Sequence, residues 1–300
     1  MSTANNTATA GIASSRSRYA DNKLSFFGVF RSETLKFRTL TTNWVMTLII
    51  ALVMIGLAIL MGVMLNNMLD SMNSQPEVTG SGATVGTTLA TMDQIVSYTK
   101  EFGSSGIDLA NMLIGSLAVV FIGSEYATHS MQTTITIVPK RSMVYLAKLA
   151  VLSIYGFVLG FVLAAISYGV GTMILDQQIK DATSFDALVT HNWIATGIYF
   201  VLMVWMGLGF GALLRNNAGG IMMVVVIFLI LPIVLQLFSM GFDWVTDFLP
   251  YLPSSLGRIM LSESVPDAEI SRKAAVWWFA LWSAVPALLG YLRFRFADSK

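Results

Sequence analysis

The chain has 300 residues, of which 55% are hydrophobic and only 12% are charged, and its formal net charge is +1. Soluble domains carry about a quarter charged residues, so this composition, with a mean hydropathy of +0.69, excludes an ordinary soluble protein. The chain contains no cysteine, which excludes disulfides and metal sites built on thiolates.

The first segment, residues 1–23, is rich in Ser, Thr, Ala and Asn and lacks the apolar stretch that a secretory signal needs. We expect a disordered cytoplasmic tail there. Residues 24–43 place aromatic residues at helical spacing on one side and arginines on another, which indicates an amphipathic helix lying in the membrane interface. The alternative is that this segment simply begins the first membrane helix. Its two sides are defined by Phe27, Phe30, Thr34 and Phe37 and by Arg31 and Arg38.

Six apolar segments between residues 44 and 292 approach or exceed the roughly 20 helical residues that cross a hydrocarbon core of about 30 Å. They predict an all-α polytopic membrane protein with six transmembrane helices, followed by a short tail at residues 293–300. Thirteen of the 18 Lys and Arg residues lie on one side of the predicted helices, so both termini are predicted to face the cytoplasm. The predicted transmembrane helices are 44–65, 107–124, 144–175, 193–214, 220–240 and 274–292.

The outer loops and the helices carry further local signals. Residues 66–106 are rich in Gly, Ser and Thr, which predicts a flexible or partly helical loop. Residues 241–273 mix aromatics with prolines, which predicts short helices at the outer interface or a re-entrant pair. Gly207 and Gly211 stand one helical turn apart, and this spacing favours close helix packing within one subunit. Pro232 is expected to kink the fifth helix.

Most patterns that indicate catalysis are missing from the sequence. His129 and His191 fall on opposite sides of the membrane in the predicted topology, so we expect neither a metal site nor catalytic residues. The middles of the predicted helices lack the ionisable residues on which ion-coupled carriers depend. No Gly-Lys dipeptide occurs, so the chain has no phosphate-binding P-loop. Any ATP that drives it must be hydrolysed by another polypeptide.

The most distinctive stretch lies between the second and third predicted helices, from Gly123 to Lys148. Glu125 ends the second helix at the inner interface, and a Thr-rich segment with apolar residues at helical spacing leads to Pro139. A short surface helix tied at both ends to membrane helices can transmit a push from a cytoplasmic partner. The alternative is a solvated connector whose cations only follow the positive-inside rule, and the residues themselves leave both interpretations open.

Three motifs stand out along the chain. They are Arg31-Ser32-Glu33 with Lys36 and Arg38-Thr39, then Gly123-Ser124-Glu125-Tyr126 with Gln132-Thr133-Thr134 and Val138-Pro139-Lys140-Arg141, and finally Leu252-Pro253-Ser254-Ser255-Leu256-Gly257. These motifs resemble those of bacterial ABC-2 type transporter permeases, in particular the actinobacterial ones. The six-helix plan and the cytoplasmic termini are similar too, so the resemblance extends over essentially the whole chain from Leu24.

The resemblance implies a mechanism and a set of site residues. Two such permeases, identical or related, would pair with two ATP-binding subunits that hold ATP and Mg²⁺, while the permease itself would need no cofactor. Closure of those subunits would rock the permeases and export a cargo. The loop after the second helix would couple to them through Glu125, Tyr126, Thr128, Met131, Gln132, Thr134 and Ile135. The interfacial helix would be held at lipid and partner by Arg31, Glu33, Lys36 and Arg38.

The expectation is therefore a permease subunit of an ABC exporter in the bacterial plasma membrane. Its partners would be the ATP-binding subunits, a second permease chain and the lipid bilayer, with no nucleic acid. Apolar walls suit an amphipathic or hydrophobic cargo. Two other classes stay open: a membrane scaffold, sensor or immunity protein of the same fold without transport, and an ion-coupled carrier.

Overall fold

The computed structural model of the chain describes residues 25–74, 92–128, 130–131, 140–262 and 270–296. Regular structure in these ranges is helical throughout, and no strand occurs among them. Six of the helices are long and apolar enough to cross a membrane. The prediction of a helical, multi-pass membrane protein is confirmed to that extent.

The helices that lie wholly within the described ranges comprise six of membrane-spanning length and five shorter ones. In chain order they are α1 (Phe26–Thr39), α2 (Thr41–Asn73), α3 (Met92–Lys100), α4 (Ile107–Ala127), α5 (Arg141–Ile174), α6 (Gln177–Ala182), α7 (Ala187–Leu214), α8 (Asn217–Phe238), α9 (Asp243–Phe248), α10 (Pro253–Leu261) and α11 (Arg272–Phe296). Short 3₁₀ turns lie at Phe102–Ser104 and Leu249–Tyr251. The spanning helices are α2, α4, α5, α7, α8 and α11.

Helix α7 occupies the centre of the bundle and packs against α4, α5, α8 and α11. Helix α2 lies outside this group against α5 and α4. Helix α1 is separated from α2 by the extended residue Leu40 and packs across α5. Its buried residues, Val29, Glu33 and Phe37, recur every fourth position and so form one face towards the bundle.

Small residues let the central helices approach closely. A Cβ on Gly207 of α7 would lie 2.2 Å from the carbonyl oxygen of Gly115 of α4, so the two backbones touch there. The prediction that this spacing serves packing within one subunit is confirmed. Gly257 of α10 has the same role against α7, because a Cβ there would lie 2.4 Å from the ring of Tyr199.

Helices α2 and α5 are longer than the roughly 20 residues that a helix needs to cross a membrane. With 33 and 34 residues they are each about 50 Å long at roughly 1.5 Å per residue. Helix α2 continues past the predicted end at residue 65 because Asn66 bonds to the end of α5: its Nδ2 donates to the Ile174 carbonyl at 2.9 Å, and its Oδ1 accepts from the Asp176 N–H at 2.8 Å. The extended ends share a small core with α3 and α6, formed by Leu65, Leu69, Ile95, Phe102, Leu175 and Ile179.

Two further sequence predictions concern the later part of the chain. Near Pro232, where a kink is expected, the helix contains a π-helical turn at Val226–Ile230 that ends two positions before the proline, which has no N–H to donate. The short helices expected in residues 241–273 are present as α9 and α10. Of the loop predicted at residues 66–106 to be flexible or partly helical, residues 66–73 and Met92–Lys100 are α-helical, and residues 75–91 lie outside the described residues.

Candidate functional site

Four charged side chains from three helices meet at one end of the bundle. Glu33 and Lys36 come from α1, Glu125 comes from the last turn of α4, and Lys148 comes from the third turn of α5. The side chain of Lys148 is 0% exposed, and those of Glu33 and Glu125 are 1% and 9% exposed. Lys36 is the most open member at 34%. We call this group the charge ring.

The ring is closed, with each ammonium group between the two carboxylates. Lys148 Nζ lies 2.5 Å from Oε2 of Glu33 and 2.7 Å from Oε1 of Glu125. Lys36 Nζ lies 3.1 Å from Oε1 of Glu33 and 3.1 Å from Oε1 of Glu125. These distances allow direct, charge-assisted hydrogen bonds around the whole ring.

The composition of the ring explains how it can be buried. Two carboxylates and two ammonium groups sum to no net charge, so the desolvation of each ion is offset by its neighbours. Lys148 Nζ also lies 4.5 Å from the centre of the Phe121 ring, a cation–π contact. Removing any one member leaves a charge without its partner in an apolar setting, which is the costly case for buried ion pairs.

Aromatic and polar contacts hold α1 in place beside the ring. Phe37 packs edge-on against Phe121, with ring centres 5.5 Å apart, and in a tilted arrangement against Tyr155, with ring centres 4.4 Å apart. Asn43, in the first turn of α2, donates its Nδ2 hydrogen to the Phe37 carbonyl at 2.9 Å. The hydroxyl groups of Thr47 and Tyr155 are hydrogen-bonded to each other. The α1–α2 corner is thereby fixed to α4 and α5.

The pKa of Lys36 reflects the ring as a whole. Burial by itself would lower this pKa, but the charges of Glu33 and Glu125, together with their hydrogen bonds to the ammonium group, outweigh burial and raise it. Lys36 is therefore held in its charged form, which the ring needs for neutrality.

The structure separates the predicted coupling residues into different surroundings. Tyr126 is half-buried, with the Arg215 guanidinium 5.5 Å from its ring centre. Thr128 is exposed at the end of α4, where its hydroxyl donates to the Ser124 carbonyl at 2.9 Å. Met131 is 1% exposed and belongs to the main hydrophobic core, so it is not available as a docking side chain. Gln132, Thr134 and Ile135 lie outside the described residues.

The predicted residues of α1 also divide into two groups. Arg31 and Arg38 are exposed, as a contact with lipid or with a partner requires. Glu33 and Lys36 instead point into the bundle and form half of the charge ring. For Glu33 this burial rules out direct contact with lipid headgroups.

Sequence reasoning missed Lys148 as a site residue and counted it only as one of the inner cations. A signal for it was present, because a lysine within a segment of membrane-spanning length is costly and therefore indicates a specific partner. Glu125 was found from its position at the helix end. Its Oε2 atom is buried and accepts no hydrogen bond within the described ranges, so the carboxylate is held through its other oxygen.

A metal site is a second kind of functional site that a membrane bundle can hold. Within the described ranges, no group of three His, Cys, Asp or Glu side chains is placed to hold a metal ion. His129 lies outside those ranges. No protein-family model matches the chain, and no curated protein matches it. The charge ring is therefore interpreted from its own geometry.

Proposed function

We propose that this chain is the permease subunit of an ABC exporter and that the charge ring links its ATPase-facing segments to its membrane helices. The observation that supports this proposal is the direct contact of Lys36 of α1, which also pairs with Glu33, with Glu125 of α4. The resemblance assigns α1 and the loop after α4 to the contact with the ATP-binding subunits. These two segments share one buried ionic cluster, so they can respond as a unit.

The ring also joins the two ends of the proposed coupling loop. Glu125 is in the last turn of α4 and Lys148 is in the third turn of α5, and their charged atoms are 2.7 Å apart. A force applied to residues 126–139 therefore reaches α4 and α5 together. Both helices pack on the central helix α7, which gives the movement a direct route into the bundle.

The assembly that follows from the proposal contains this chain, a second permease chain and two ATP-binding subunits that hold ATP and Mg²⁺. It lies in the bacterial plasma membrane with both termini in the cytoplasm. The exposed Arg31 and Arg38 of α1 would contact lipid phosphates or the partner subunit. The chain itself would carry out no chemical step.

An ion-coupled carrier is a second candidate, because the ring provides the buried ionisable groups that such a carrier requires. Two observations make it the weaker one. The four charges are mutually neutralised, and they lie at the end of the bundle instead of at its middle, where coupling ions bind.

A charge-matched double variant tests the proposed role of the ring. Glu125→Gln with Lys148→Met removes one acid and one base and leaves Glu33 paired with Lys36. We expect the folded protein to retain a co-expressed ATP-binding subunit, while its influence on that subunit's ATP hydrolysis in liposomes is lost. The matched control is Asp108→Asn with Arg258→Met, which removes an exposed ion pair elsewhere in the chain.

The two outcomes are distinguishable. If the double variant alters ATP hydrolysis while the control behaves like the wild-type protein, the ring carries the coupling. If the double variant is as stable and as well coupled as the wild-type protein, the ring has only a structural role. A carrier would instead show cargo movement driven by an ion gradient without any ATP-binding subunit.

A further inference from the structure

The bundle contains an open apolar groove with a volume of about 740 Å³ that the proposed coupling does not use. It lies between α8 and α11, with Phe210 and Leu213 of α7 as its floor. Met223 and Ile227 of α8 form one wall, and α11 forms the other. Side chains from α9 and the 3₁₀ turn after it lie at the end of the groove away from Leu213.

We propose that this groove binds one acyl chain of an anionic phospholipid, with the phosphate beside Arg293. The proposal depends only on the membrane location of the bundle and is independent of the ATP-driven function. Its first support is chemical: every lining side chain is apolar or aromatic, so the occupant must be apolar along its length.

The length of the groove fits a chain from one leaflet. On α11 the lining runs from Trp278 to Leu289, which corresponds to about 16 Å at roughly 1.5 Å per residue. That is about half of a hydrocarbon core of roughly 30 Å. A chain that enters from one membrane surface would therefore fill the groove from end to end.

The end of the groove near Leu213 carries a cation suited to a lipid phosphate. Arg293 lies one helical turn beyond Leu289, and its guanidinium donates a hydrogen bond to the Leu213 carbonyl. A guanidinium has five N–H donors, so this bond leaves donors for a phosphate. At the other end, Trp282 Nε1 donates to the Tyr251 carbonyl at 3.0 Å and fixes α11 to the 3₁₀ turn.

Two neighbouring tryptophans, one in the groove and one outside it, allow the proposal to be tested by fluorescence quenching. Trp278 lines the groove, whereas Trp277 is 77% exposed, does not line the groove, and lies at nearly the same depth. Two variants would each retain one of these tryptophans and carry Phe in place of the other six tryptophans of the chain. Each variant would be placed in bilayers that contain increasing fractions of a phospholipid brominated on its acyl chain. Brominated phosphatidylglycerol and phosphatidylcholine serve as the anionic and neutral probes.

We expect brominated phosphatidylglycerol to quench Trp278 at a several-fold lower mole fraction than Trp277. The difference should shrink with phosphatidylcholine and after Arg293→Gln. Coincident quenching curves for the two tryptophans in phosphatidylglycerol would overturn the proposal, because Trp278 would then meet only bulk lipid. Persistence of the full difference after Arg293→Gln would overturn the assigned phosphate contact.

A second pair of variants tests the groove without changing any tryptophan. Val285 lines the groove and is 47% exposed, whereas Leu288 is 58% exposed on another side of the same helix. Val285→Phe should remove one co-purified phospholipid, counted by native mass spectrometry, and Leu288→Phe should not. Equal lipid counts would contradict the proposal. Disulfide-linked dimers of Val285→Cys, in a chain without other cysteines, would show that a second copy occupies the groove instead.

Discussion

A lysine that lies wholly inside a helix bundle needs compensating charge, and Lys148 finds it in Glu33 and Glu125. The carboxylates in turn share Lys36, so no member of the charge ring depends on a single partner. Such an arrangement contributes less to net stability than its short distances suggest, because all four groups lose water. Its main consequence is geometric, since the contacts are satisfied only when α1, α4 and α5 are in register.

The loss of one charge should be far more damaging than the loss of a pair. Lys148→Met leaves two buried carboxylates with only Lys36, and we expect destabilisation of about 3–5 kcal/mol, the range found when a buried pair is broken. Thermal unfolding in detergent micelles measures the effect. The double variant with Glu125→Gln should recover much of the lost stability, because the remaining acid and base balance.

A surface ion pair provides the control for that experiment. Arg258 and Asp108 are 72% and 60% exposed, and Arg258→Met should change stability by less than about 1 kcal/mol. If Lys148→Met unfolded at the same temperature as Arg258→Met, the buried ring would not have the energetic role assigned to it.

The raised pKa of Lys36 predicts a loss of stability in alkali. A lysine whose pKa is higher in the folded state adds stability below its unfolded pKa, near the ordinary value of 10.5, and loses this contribution as the pH rises through the folded pKa. The difference in unfolding temperature between the wild-type protein and Lys36→Met should therefore stay constant as the pH approaches the unfolded pKa from neutrality. It should then shrink as the pH rises further, through the folded pKa. A difference that grew with rising pH would contradict the assignment.

At the scale of the elements, close backbone contact between α4 and α7 sets the geometry of the bundle core. The Gly207–Gly115 contact leaves no room for a side chain, so it fixes how near the two helices lie. Because α4 ends at the charge ring, a change in this spacing also alters the position of Glu125. Packing at the centre and ionic contact at the end are thus coupled through one helix.

Gly207→Ala should accordingly be destabilising although alanine favours helices. Its Cβ would lie 2.2 Å from a carbonyl oxygen, which cannot move as a flexible side chain can, and overpacking of this kind costs about 1–3 kcal/mol. Gly56→Ala in α2 is the control, because a Cβ added there would meet no neighbouring atom within 4 Å. Equal unfolding temperatures for the two variants would mean that α4 and α7 are not in contact at this point.

The sequence indicated the spanning helices because uninterrupted apolar residues are a local signal. It missed the last residues of α2, from Asn66 to Asn73, because they are held by contacts with the end of α5 and with α6, more than 100 positions away in the chain. The sequence named three ring members, Glu125 from its helix-end position and Glu33 and Lys36 from the α1 motif, but it did not predict that they meet. Their contact depends on Lys148, which is 115 positions from Glu33 and 23 from Glu125.

For the whole molecule, the distribution of basic residues predicts that α1 and the α7–α8 link face the cytoplasm. The chain has no cysteine, so single cysteines can be introduced without background labelling. Ser32→Cys and Asn216→Cys should resist a membrane-impermeant maleimide in intact cells, whereas Gln177→Cys and Asp243→Cys should react. All four positions are exposed, so protection reports the side of the membrane. The reverse labelling pattern would invert the proposed topology.

If the proposed function is correct, this chain recruits an ATP-binding subunit through the segment between α4 and α5, whose two flanking helices the charge ring joins. The most direct measurement is co-purification of the tagged chain with a co-expressed candidate ATP-binding subunit, with residues 126–138 intact or replaced by a Gly/Ser linker of equal length. We expect the intact chain to capture an active ATPase stably and the linker variant to lose this capture while it still folds and inserts. Equal capture by both forms, or no capture by the intact chain of any candidate subunit, would contradict it.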